Sequence, residues 1–231
     1  MSPTIFNPYR YSASQKYSTD FSSHGDWSAN TSRLEIVTAS SQLEWDCREV
    51  NDQYMNIDLS SMPVSNTEWL LRYEFLFTSL SANSPCDVNN ACFIGLYSNS
   101  TPTGSLVPTG DALRYGTQTN NGFANILDSI NEGAQAKTDE STNPFSLSTS
   151  TGTTFYVQLN RVSEILLEQK VFSTSDYSTT QVGTTLSRET SSAVNTTNFL
   201  TIQLFTTEIC GSGYHGTLKS LDFYNDSSVP F

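Results

Sequence analysis

Two short carboxylate pairs are the residues of this chain best spaced for chemistry: Glu44 with Asp46, flanking Trp45, and Glu164 with Glu168. Two carboxylates held about 5 to 9.5 Å apart can serve as acid and base, or acid and nucleophile, in cleaving a glycosidic bond. Glu44 and Asp46 lie two residues apart, so on a strand they share one face while Leu43, Trp45 and Cys47 share the other. A solvated strand face has the same pattern. No Glu-x-Asp-x-x-Glu run accompanies either pair, and catalysis is not expected. The two histidines read as turn or surface residues rather than general bases: His24 lies in a loop with Asp26, and His215 sits between Tyr214 and Gly216. With 35 serines in the chain, a Ser, His and Asp set can always be drawn and carries no weight. There is no glycine-rich phosphate loop.

For a metal, the best donors are Asp87, Asn89 and Asn90 in the loop between Cys86 and Cys92. Their oxygens suit calcium. The same residues equally build a tight Asx-type turn that serves its own backbone. Cys86 and Cys92 can staple that loop with a disulfide, leaving Cys47 and Cys210 to join an early strand to a late one; four thiols are the alternative. Zinc is disfavoured, because no CxxC pair occurs and neither histidine has ligand-like spacing to a cysteine. No other cofactor is implied. For sugar stacking the candidates are Trp27, Tyr97, Tyr115 and Tyr214, which fall near expected loops. Each can instead belong to a core.

Composition narrows the partners. The 231 residues carry a formal charge of -12, with 23 acidic against 11 basic side chains scattered singly. Phosphate neutralisation needs clustered Lys and Arg, so neither nucleic acid nor an anionic membrane surface is an expected partner. No apolar run approaches the roughly 20 residues of a spanning helix. Ser and Thr supply 64 residues, as on the surfaces of secreted, adhesive and virion proteins. Four Asn-x-Ser/Thr sites, at Asn30, Asn99, Asn195 and Asn225, decide nothing in so Ser/Thr-rich a chain. The opening MSPTIFNPYRYSAS has no charged region followed by an apolar one, so no signal peptide is read.

The elements that must position these groups are strands. TTFYVQLNRV, EILLEQKVFS, FLTIQLF and GYHGTLKSLDFYN between Thr153 and Asn225 alternate apolar with polar residues. Further strands are expected over 16–21, 33–37, 42–47, 53–59, 68–81, 91–97, 112–116 and 122–127. In the longest, Leu71, Tyr73, Phe75 and Phe77 face one way and Arg72, Glu74, Leu76 and Thr78 the other. Residues 131–150 read as a long loop, and 1–15 as an irregular N-terminal arm that can lie on a neighbouring subunit. Ten to thirteen short strands with Gly, Pro, Asn and Ser turns predict an all-β, two-sheet antiparallel sandwich over 16–231.

The order of these segments resembles the concanavalin A-like lectin and glucanase superfamily and its laminin G-like jelly rolls. The resemblance rests on YSTDFSSHGDW near the start, WLLRYEFLFTSL followed by ACFIGLYS, then TTFYVQLNRV, EILLEQKVFS and a terminal GTLKSLDFYN. It implies that the opening DF...W segment packs near the last strand, and that Asp222 and Tyr224 belong to a closing strand. It also implies a repertoire: sugar binding, often with calcium, adhesion, glycosidase activity, or service as appendages on phage and virus particles. The resulting expectation is a non-enzymatic, surface-exposed carbohydrate-binding or adhesion module, extracellular or on a virion surface. The alternatives are a virion or extracellular-assembly subunit forming homo-oligomers, and a glycoside hydrolase.

Overall fold

A computed structural model describes residues 16–47, 53–62, 64–80, 90–102, 110–119, 123–131, 134–140, 152–189, 194, 198–205 and 214–225. Among the described residues fourteen strands run in chain order: β1 (Lys16–Thr19), β2 (Leu34–Val37), β3 (Gln42–Asp46), β4 (Gln53–Asp58), β5 (Trp69–Leu80), β6 (Asn90–Tyr97), β7 (Ala112–Thr119), β8 (Phe123–Asn131), β9 (Ala134–Glu140), β10 (Thr154–Ser163), β11 (Leu166–Phe172), β12 (Leu186–Glu189), β13 (Phe199–Phe205) and β14 (Tyr214–Tyr224). The only helical element among the described residues is a single 3-10 turn at Thr38–Ser40.

The strands form two antiparallel sheets. One has the order β12-β11-β10-β5-β14-β3-β2, with β1 beside the second half of β14; the other has the order β4-β13-β6-β7-β8-β9. Facing apolar sets close the core between them. The first sheet contributes Leu71, Tyr73, Phe75 and Phe77 of β5, Val157 and Leu159 of β10, and Leu221 and Phe223 of β14, all buried. The second contributes Ile94 and Leu96 of β6, Leu113 and Tyr115 of β7, and Leu200, Ile202 and Leu204 of β13. Edge-on aromatic packing ties the middle together, with Phe75 and Phe77 centroids 4.6 Å apart and Trp45 and Phe77 centroids 5.7 Å apart.

β14 shows how sequence dictates register. Leu218 and Leu221 are both buried although they lie three apart, an odd spacing that would put them on opposite faces of a regular strand. A bulge between Leu218 and Ser220 leaves Lys219 exposed and restores the phase, so that Leu221 and Phe223 return to the core. A second bulge, between His215 and Gly216, leaves Thr78 of β5 without an opposite residue.

The opening segment packs where expected. β1 pairs with β14 from Lys16↔Tyr224 to Thr19↔Leu221, and Phe21 and Trp27 are buried in contact, 5.9 Å between centroids. Two expectations need correction. The stretch read as loop after residue 131 contains β9, and β12 was not anticipated. AQAKTDE and LSRE are too polar or too short to show a period-2 signal. The N-terminal arm, residues 1–15, lies outside the described residues.

Candidate functional site

The first sheet's outer face carries a groove of about 440 Å³ across the ends of β2, β3, β14 and β5. Its lining includes Ser32, Arg33, Glu35, Gln42, Glu44 and Asp46 from the β2–β3 hairpin and its approach, with Thr78, His215 and Thr217 from the sheet centre. Pairing across strands creates it. Glu35 stands directly opposite Glu44, Glu44 opposite Thr217, and Asp46 opposite His215. Because alternate residues of a strand share a face, all of these project outward while Leu34, Leu43 and Trp45 go to the core.

Arg33 Nη1 donates to Asp46 Oδ2 at 3.0 Å, an ion pair whose side chains are 27% and 19% exposed. Gln42 Nε2 donates to Glu44 Oε1 at 2.7 Å. The hydroxyl of Thr78, displaced outward by the bulge, lies 2.9 Å from His215 Nδ1 and 3.2 Å from the His215 carbonyl oxygen. One arrangement satisfies both contacts: the hydroxyl donates to the carbonyl and accepts from Nδ1–H. That tautomer leaves Nε2 as an acceptor. Thr217 is only 5% exposed, lines the groove, and its hydroxyl has no hydrogen-bond partner. The groove is therefore rich in acceptors, and its single guanidinium is engaged by Asp46.

Three of the four stacking candidates are not surface rings. Trp27 is 6% exposed, Tyr115 2% and Tyr97 0%, which removes all three from direct sugar contact. Burial also holds the phenol of Tyr115 far above its ordinary pKa. Tyr97 lies instead in a buried polar network on the outer side of the second sheet. Its hydroxyl donates to Gln203 Oε1 at 3.1 Å, which also receives Arg114 Nη1 at 2.9 Å. Gln203 Nε2 reaches the Pro102 carbonyl at 3.4 Å, and the Arg114 guanidinium carbon lies 3.8 Å from the Phe93 ring centroid. These bonds hold the segment following β6 against the sheet. Tyr97→Phe is expected to cost about 1 kcal/mol in a denaturant melt and to leave glycan binding unchanged.

The side chain of Tyr214 lies outside the described residues, as do Asp87 and Asn89 and the side chain of Asn90. Among the described residues no three His, Cys, Asp or Glu side chains are grouped to hold a metal ion. Cys47 and Cys92 are buried, and no disulfide occurs among the described residues; their expected partners, Cys210 and Cys86, lie outside them. Of the two carboxylate pairs, Glu44 and Asp46 share the groove as expected. Glu164 sits in the β10–β11 turn and Glu168 on β11, where Lys170 Nζ lies 3.7 Å from Glu168 Oε2. Glu35 and Thr217, which complete the groove, carry no motif and become neighbours of Glu44 only through strand pairing.

A second polar depression, of about 550 Å³, lies where β1 meets β14 and includes Asp20, Asp26 and Asp222. Two of its carboxylates serve local structure: Asp20 Oδ1 accepts from the Ser22 amide at 2.9 Å, and Asp222 accepts from the Ser18 hydroxyl.

No family model matches the sequence, and no curated protein does. Solved structures do. The seed lectin of Lotus tetragonolobus superposes with a TM-score of 0.56 at 12% identity, over 90% of this chain and 97% of the lectin. The fold is a concanavalin A-like jelly roll. The CBM2 module of the evolved Dit protein of Lactobacillus casei BL23 phage J-1 shares this jelly roll, with a TM-score of 0.59, 8% identity, and 94% and 99% of the two chains covered. A GH43 protein of Bacillus licheniformis matches with a TM-score of 0.52 at 12% identity, over 90% of this chain. The jelly roll spans only 39% of that protein's length.

Proposed function

We propose that this jelly roll is a non-enzymatic, surface-exposed carbohydrate-binding or adhesion module that meets its ligand in the groove over β2, β3, β14 and β5. The observation that carries the reading is the groove's lining. Carboxylates, a carboxamide, hydroxyls and an imidazole converge on one concavity, and that mixture suits the hydroxyls of a saccharide. Similarity to a seed lectin and to a phage CBM2 module supports the same reading. Its place would be extracellular or on a virion surface.

Hydrolysis is the weaker reading, because Asp46 is bound by Arg33 and Glu44 by Gln42. A glycan array with the full chain tests the proposal. Binding to at least one oligosaccharide class is expected, without release of reducing ends. An array with no binder overturns the proposal.

The phage module's nearly complete coverage favours a second reading, a structural subunit of a virion or extracellular assembly. Light scattering after size exclusion tests it: higher oligomers support assembly, and a monomer at all concentrations counts against it.

A further inference from the structure

Three features of the groove combine in a way that simple hydroxyl recognition does not require. First, Glu35 and Glu44 stand directly opposite each other on neighbouring strands, a like-charge pairing that destabilises a sheet. Neither has an ion-pair partner among the described residues, and the groove's one guanidinium is committed to Asp46. Second, Thr217, opposite Glu44 on the other side, is 95% buried and holds a hydroxyl without a partner, a group that costs free energy unless something bonds to it. Third, the two contacts of Thr78 with His215 are both satisfied in the tautomer whose outer nitrogen accepts.

We infer that the groove recognises a primary ammonium group carried on a sugar, and that its ligand class is an unacetylated amino-sugar oligosaccharide. An ammonium has three donors and no acceptor, so Glu35, Glu44 and Thr217 complement it. Charge-assisted bonds to the two carboxylates remove their mutual repulsion, and the third proton satisfies the buried hydroxyl. His215 Nε2 and the carboxamide oxygen of Gln42, whose Nε2 donates to Glu44, are left for neighbouring hydroxyls. The groove's volume of about 440 Å³ accommodates a short saccharide and not only an isolated amine. Anionic sugars are excluded, since three carboxylates face one neutralised cation.

This inference rests on the carbohydrate-binding reading, and the test separates the two. Titration calorimetry on the full chain at about 0.15 M salt, where long-range surface attraction is screened, compares three probes: oligomers of 2-amino-2-deoxyglucose, their N-acetylated counterparts, and trilysine. The free-amine oligomer is expected to bind at least tenfold tighter than either of the others. Glu44→Gln and Thr217→Val are each expected to weaken it about tenfold or more with melting curves at or above that of the parent. Glu189→Gln, which removes the same charge at β12 on the opposite edge of the sheet, leaves affinity unchanged. Equal or tighter binding of the acetylated oligomer overturns the amino-sugar assignment while sustaining the carbohydrate reading. Failure of both oligomers overturns both. Trilysine binding as tightly, or Glu189→Gln weakening binding as much as Glu44→Gln, reduces the site to general cation attraction and overturns the assignment.

Discussion

Gln203→Leu is expected to lower the unfolding free energy by about 2–3 kcal/mol, since it removes two buried hydrogen bonds, one of them to a charged group and so worth more than a neutral one. In a chain of this size that corresponds to a fall in Tm of roughly 5–10 °C. The side chain is fully buried and its oxygen accepts from both Arg114 and Tyr97, so one substitution removes the acceptor of two donors, one of them charged. It also releases the Pro102 carbonyl. Gln203→Glu keeps an acceptor of nearly the same shape and is expected to recover most of the loss at neutral pH. The double variant Gln203→Leu, Tyr97→Phe should cost less than the sum of its parts, because the bond from the Tyr97 hydroxyl to Gln203 is lost in either change and can be lost only once. Additive losses in denaturant melts would show that the network is not coupled.

Gly216→Ala is expected to cost about 3 kcal/mol, at the upper end for overpacking. A Cβ at this position would lie 2.1 Å from the Leu76 carbonyl oxygen and 2.6 Å from Trp45 Cζ2. The first neighbour is backbone, so no rotamer change relieves it, and β5–β14 is a central pairing of its sheet. Trp45→Phe is therefore not expected to rescue it. Gly152→Ala is the control: it has φ of +80° but nothing within 4 Å. Its cost is limited to about 1–2 kcal/mol of left-handed backbone strain. Thermal melts of the three variants decide the matter, and equal losses for Gly216→Ala and Gly152→Ala would refute the steric account. Because Gly216 separates His215 from Thr217, its displacement also disturbs the groove, linking the bulge to ligand affinity.

Much of the architecture was legible because the strongest strands advertise their period. β10 alternates buried and half-buried residues along nearly its whole length, β5 does so from Leu71 to Phe77, and β14 does so from Ser220 to Tyr224, beyond its bulges. The site was less legible. Glu44 and Asp46 were visible as a pair, but Glu35 and Thr217 join them through antiparallel register, which local spacing does not encode. Tyr97 and Tyr115 were misread because a strand pattern does not say whether both faces are covered. β6 held a clue: its continuous CFIGLY run is buried at every position, the mark of a strand enclosed on both sides. Taken at face value, that run places Tyr97 under cover.

The pairing of Lys16 with Tyr224 makes the two ends of the described fold close neighbours, about 5 Å apart as antiparallel partners are. A host chain can therefore be interrupted at one tight turn and resume almost where it left off, carrying the whole sandwich as a side loop without stretching its own frame. The same closeness sets the mechanical response. Tension applied through both ends peels β1 from β14 pair by pair, starting at Lys16, and does not shear the four pairs at once. The seam should yield at low force while the β5–β10–β14 centre stays folded, so that the groove keeps its shape under load.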